Sequence, residues 1–157
     1  MVAAPPLRGG PLPDREIPIS IVEQLVEHIT NEDEQLVLDS MYVAFYKGTP
    51  VILVPGSSSF SFGIIIMGKD GDSDLLRHEY GHTKQLQKLG IIDYSTYVVM
   101  PSVICYWLTE AKLLSWDYYF SYPWEYEADQ YGEASHEYQT WAERAAEIYT
   151  KLVDFFT

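Results

Sequence analysis

Cysteine is almost missing from this chain. Cys105 stands alone among 157 residues, so no intrachain disulfide can staple the fold and no cysteine-rich zinc site can form. Positive charge is scarce as well: Lys and Arg total 10 against 23 Asp and Glu, a formal net charge of −13. A phosphate backbone needs a basic face, so no nucleic-acid partner is expected. An anionic membrane surface is disfavoured on the same ground. Long apolar runs are also wanting. Of the two charge-free stretches, residues 48–68 contain Pro50, Pro55 and the triplet Ser57, Ser58, Ser59, while the shorter residues 94–109 contain Ser95, Thr96, Pro101 and Ser102. Neither supplies the roughly 20 mainly apolar residues of a spanning helix. No apolar core of a secretory signal is evident near the start. The expectation is a chain without a membrane span, cytoplasmic or delivered as an effector.

What the chain does have is core material. Apolar residues make up 47% and aromatics 15%, enough to fill the interior of one domain and too much for a disordered chain. Residues 1–19 hold Pro5, Pro6, Pro11, Pro13 and Pro18 with Gly9 and Gly10, which reads as a flexible leader or the scar of excision from a parent chain. Residues 20–157 are expected to form a single domain. Ser20 and Glu23 make a capping box for an amphipathic helix over about 20–30. The runs Met41 to Tyr46 and Val51 to Val54 predict a hairpin around Lys47 and Gly48, and Phe60 to Met67 reads as the strongest strand. Asp72 or Ser73 can cap a helix running to Leu89 with Gly90 at its end. An apolar segment, Tyr94 to Met100, stopped by Pro101, is followed by helices from Ser102 to about Leu114, from near Pro123, and after Ser135. Helix, strands, then helices give an α+β fold with a small mixed sheet.

The chemistry concentrates in residues 78–82, His78-Glu79-Tyr80-Gly81-His82. The pattern H-E-x-x-H is expected by chance only about 0.01 times in a chain of this composition, before asking for a helix beneath it. On a helix, residues four apart share a face, so both imidazoles can address one ion. Glu79, on the adjoining surface, can reach a water at that ion without ligating it. A catalytic zinc site keeps three protein ligands and one open position. The third is not a histidine six residues beyond His82, where Lys88 stands, and Gln85 replaces the glycine of that alternative pattern. Downstream, Glu125 is the single Glu with an Asp four residues later, Asp129, and it follows His82 by 43 residues. On a helix Glu125 and Asp129 share a face and Glu127 points away. One carboxylate can bind the ion while the other accepts the spare N–H of a ligand histidine. Gly81 within the motif helix costs about 1 kcal/mol against Ala, which a close backbone crossing would explain.

His78-Glu79-x-x-His82 followed by Glu125-x-x-Ala128-Asp129 resembles the gluzincin metallopeptidases, most closely the compact kind with a Glu-x-x-Ala-Asp second motif found in prenyl-protein and heat-shock membrane peptidases. The resemblance implies a zincin-like domain. It implies one catalytic Zn2+ held by His78, His82 and Glu125, with Glu79 as base and acid and Asp129 as partner of a ligand histidine. It implies that peptide bonds are hydrolysed through a zinc-bound water activated by Glu79, and that Phe60 to Met67 is the edge strand to which an extended protein or peptide substrate adds. The donor to the developing oxyanion has no clear counterpart: His136 is the candidate carried forward, with Tyr118, Tyr119, Tyr122 and Tyr138 beside it. His28 reads as structural and Cys105 as a buried core thiol. Around the motif, Arg77, Gln85, Leu89-Gly90, Pro101-Ser102 and Tyr122-Pro123-Trp124 are similar to small bacterial metallopeptidase-like domains, some of them at the C-termini of polymorphic toxins. That likeness covers about residues 60–135 and adds a parent chain or an immunity protein to the expected partners. Two other functions stay open: a zinc-bearing interaction module without turnover, and a toxin's protease effector.

Overall fold

A computed structural model describes residues 36–38, 43–54, 59–68 and 71–157. The leader, the helix expected over about 20–30 and His28 lie outside the described residues. The chain divides into two compact units, Met1–Tyr80 and Gly81–Thr157. The first carries a five-stranded mixed sheet: β1 (Leu36–Leu38), β2 (Val43–Tyr46), β3 (Thr49–Leu53), β4 (Phe60–Ser61) and β5 (Ile65–Met67), in the order β1-β2-β3-β5-β4. The β3–β5 pair is parallel and the others are antiparallel. With the helices that follow, this is the α+β fold expected.

The expected hairpin joins β2 to β3. Lys47 and Gly48 both have positive φ, 48° and 79°, the two-residue turn whose twist matches that of the flanking strands. Alternation then sets the buried face: Ala44 and Tyr46 from β2, Val51 and Leu53 from β3, and Ile65 and Met67 from β5 pack with Leu76 and Tyr80 of the first helix. Tyr80 meets Tyr46 edge-on, ring centres 5.3 Å apart. The stretch Phe60 to Met67 is not one strand. Gly63, at φ 80°, bends it into a hairpin of β4 on β5. Because β5 pairs with β3 on its other side, the exposed edge expected along this whole stretch shrinks to the two residues of β4.

The helices are α1 (Ser73–Tyr94), α2 (Met100–Glu110), α3 (Pro123–Gly132) and α4 (Ala142–Phe156), with a π-turn over Ser95–Val99 and a 3-10 turn over Trp116–Ser121. Asp72 caps α1, its Oδ1 accepting from the Leu75 N–H at 2.8 Å. Gly90 interrupts α1 at φ 77°, as its place after Leu89 suggests, but the chain re-enters helix. Tyr94 to Met100 is therefore helical and not a separate segment. The Met100 N–H donates to the Ser95 carbonyl five residues back, and Pro101, which has no N–H to give, sits in the first turn of α2 where none is needed. Taken as one kinked run, Ser73–Glu110 is the one helix among the described residues long and apolar enough to cross a membrane by length and composition alone. The run is only weakly apolar and is kinked at Gly90, so no clear membrane span is present among the described residues. The last helix begins at Ala142, later than Ser135, because residues after the left-handed Glu133 (φ 59°) turn back over α3.

The crossing of α1 and α3 is tight. A Cβ at Gly81 would lie 1.7 Å from the Ala128 carbonyl oxygen, so only glycine lets the backbones approach this closely, and the expected crossing is present. Gly81→Ala should cost at least about 3 kcal/mol, since a rigid backbone atom must be displaced. Denaturant unfolding measures this, and a variant as stable as the parent chain would contradict the crossing.

Candidate metal centre

Helix α1 supplies His78, Glu79 and His82, and α3 supplies Glu125 and Asp129. All five are buried, with Glu125 and Asp129 fully so. One ligand atom each from His78, His82 and Glu125 lies within 4.8 Å of the other two. These are the three residues proposed as ligands from the sequence.

Hydrogen bonds determine which atoms of the His82–Glu125 pair face each other. Gln85, one turn after His82 and fully buried, donates from Nε2 to the Trp124 carbonyl at 2.9 Å and to Glu127 Oε1 at 3.3 Å. Both partners are acceptors, so that atom is the amide nitrogen. Its Oε1, 2.7 Å from His82 Nδ1, is then an acceptor, and Nδ1 carries the proton. His82 therefore turns its other ring nitrogen, Nε2, to Glu125 Oε2, 3.1 Å away. Ser102 of α2 donates to the other oxygen, Glu125 Oε1. Two imidazole nitrogens and one carboxylate oxygen, with His82 and Glu125 each oriented by a neighbour, are a donor set that suits Zn2+.

Asp129 takes part in a second cluster. Its Oδ2 accepts from His136 Nδ1 and from the Tyr138 hydroxyl, each at 2.8 Å. The His136 ring lies flat on Phe120, centres 3.7 Å apart and planes within 3°, and its backbone N–H donates to the Tyr138 oxygen at 3.1 Å. Burial, opposed in part by that N–H and reinforced by the Asp129 carboxylate, pushes the Tyr138 hydroxyl well above the ordinary tyrosine range, so it remains a donor. His136 thus stands on the returning segment after α3 and not in the last helix. His78, Asp129 and His136 also offer ligand atoms within 4.8 Å of one another. In that group His136 Nδ1 and the Asp129 oxygen are hydrogen-bonded to each other, whereas His78, His82 and Glu125 match the H-E-x-x-H histidines and the downstream glutamate.

Glu127 points away from the ligands as expected and accepts from Gln85 and, at 2.9 Å, from Thr150. Cys105 is half-buried and not a core thiol. The sequence reading missed the roles of Gln85 and Ser102. Gln85 was detectable, three residues past His82 on one helix face. Ser102 reaches Glu125 through tertiary packing and left no local signal. Comparison with protein-family models, with curated proteins and with solved structures gives no match.

Gln85→Leu should lower zinc affinity about 10- to 100-fold, the usual cost of losing a partner behind a ligand histidine. Gln85→Glu, which keeps an acceptor for Nδ1, should lose less. Chelator competition measures both, and unchanged affinity in Gln85→Leu would remove Gln85 from this role.

Proposed function

We propose that the protein is a zinc-dependent metallopeptidase of gluzincin type, with His78, His82 and Glu125 holding one Zn2+ and Glu79 serving as its base. The observation that carries this is the convergence of one ligand atom each from His78, His82 and Glu125, all buried and within 4.8 Å of one another. Zinc bound there supplies Lewis acidity, which acidifies water and polarises a carbonyl.

The chain's own residues supply the rest. Glu79, buried on the same helix, takes a proton from the attacking water as its oxygen bonds to the peptide carbon. It returns that proton to the amine as the C–N bond breaks. Its burial favours the neutral acid between these transfers. His136 has Nδ1 committed to Asp129, so Nε2 can donate to the oxygen that becomes negative only when the ring is in its imidazolium form. The stacked Phe120 ring and the Tyr138 hydroxyl hold the imidazole in place. A protein or peptide is the substrate class this chemistry serves.

The full chain should bind about one zinc ion, and protein prepared without chelator that holds none would overturn the proposal. Glu79→Gln should keep the metal and lose about 10²- to 10⁴-fold in peptide turnover; undiminished cleavage of a peptide library would remove Glu79 from the mechanism. Glu125→Ala should lose the metal and Glu127→Ala keep it, as metal analysis of the two proteins would report; the reverse would move the ligand to Glu127.

A further inference from the structure

Helix α2 and the turn before it are inside out. The residues facing inward include Tyr94, Val98 and Thr109, all buried, and Ser102, which bonds Glu125. The outward residues are more apolar: Ile92 is 77% exposed, Trp107 68% and Met100 59%, with Val103, Ile104 and Leu108 beside them. A helix apolar on its outer face needs a cover that is not water.

Three observations select that cover. First, no side chain from Tyr94 to Thr109 is charged, and the most apolar part of the kinked run containing it is only 11% buried, whereas the core helix of a globular domain is mostly buried. Second, its four Ser and Thr hydroxyls are satisfied within the protein. Ser95 donates to the Ile91 carbonyl, Thr96 to Ile92 and Thr109 to Cys105, at 2.6, 3.0 and 2.6 Å, and Ser102 donates to Glu125. A surface made for hydrocarbon must leave no such group unmet. Third, aromatic rings gather at its end, Tyr106 against Trp116 with centres 5.7 Å apart and Trp116 against Tyr119 at 5.3 Å, the residue types that settle at the boundary of a bilayer. The net charge of −13 opposes both a second copy of the chain and an anionic lipid surface.

We infer that this outward face of residues 91–116 docks on an uncharged, zwitterionic lipid surface. The helix lies along the interface and does not span it, because its inner face holds Ser102 against Glu125. Attachment comes from buried apolar area and not from lipid charge. This inference does not depend on the proposed peptidase activity.

The test is cosedimentation of the full chain with phosphatidylcholine vesicles, read together with tryptophan fluorescence. The chain should pellet with the vesicles and its emission shift to the blue. Binding should not rise when about a third of the lipid is phosphatidylserine, nor fall in about 0.5 M salt. Ile104→Glu with Trp107→Glu should weaken binding at least about tenfold while helix content and zinc stoichiometry stay as in the parent chain. Trp107→Phe, which keeps the apolar face, should bind nearly as well. A parent chain that stays in the supernatant, binding only to phosphatidylserine, or a folded double variant that binds undiminished would each overturn the inference. So would a lipid-free dimer that the same double substitution dissolves, which would assign the face to a second copy.

Discussion

The approach of α1 to α3 at Gly81 and Ala128 is the constraint on which the candidate centre depends. Without a side chain at Gly81 the two backbones come within a distance that any Cβ would forbid. His82 follows that glycine by one residue, and Glu125 precedes Ala128 by three. The contact therefore fixes how far the Glu125 carboxylate lies from the His82 imidazole. A helix pair held by larger side chains would separate at 8–10 Å between axes, and long side chains would then have to bridge the gap at the cost of order. Here the short span is set by backbone against backbone, which does not change rotamer.

Around that contact the buried polar groups form two clusters. In one, Gln85 connects His82 to the Trp124 carbonyl and Glu127, and Ser102 holds the far oxygen of Glu125. In the other, Asp129 gathers His136 and Tyr138. Burying carboxylates without partners is costly, and the second cluster meets that cost with donors from the protein. The first places Gln85 behind His82 and Ser102 behind Glu125, on the sides turned away from the His82–Glu125 contact. Ligand atoms oriented from behind in this way are the arrangement that the proposed His78, His82 and Glu125 site relies on.

Much of the site was legible in the sequence because its signals are local or have fixed spacing. H-E-x-x-H needs only one helix, the Glu125 and Asp129 pair one more, and Gly81 announced its crossing through its poor fit to a helix interior. The Lys47-Gly48 hairpin, the Asp72 cap and the Pro123 start rest on equally local chemistry. The misses are tertiary. Ile64, Ile65 and Ile66 look like one strand, but Gly63 folds the segment before them into a bend and places β5 inside the sheet. Pro101 looks like a stop, yet the π-turn before it lets the helix continue. Ser135 looks like a helix start, yet the following residues serve Asp129 instead. The apolar outer face of α2 was hidden because the sequence cannot tell which side of an apolar helix is turned outward.

The central claim is that one zinc ion is held by His78, His82 and Glu125, and not by the overlapping group of His78, Asp129 and His136. Anomalous diffraction at the zinc edge from crystals of the zinc-loaded chain locates the ion directly. The account predicts a single peak at about 2.0–2.2 Å from two imidazole nitrogens and a Glu125 oxygen, with the His136–Asp129 hydrogen bond intact. A peak ligated by Asp129 and His136, or no ordered zinc on α1, would contradict it.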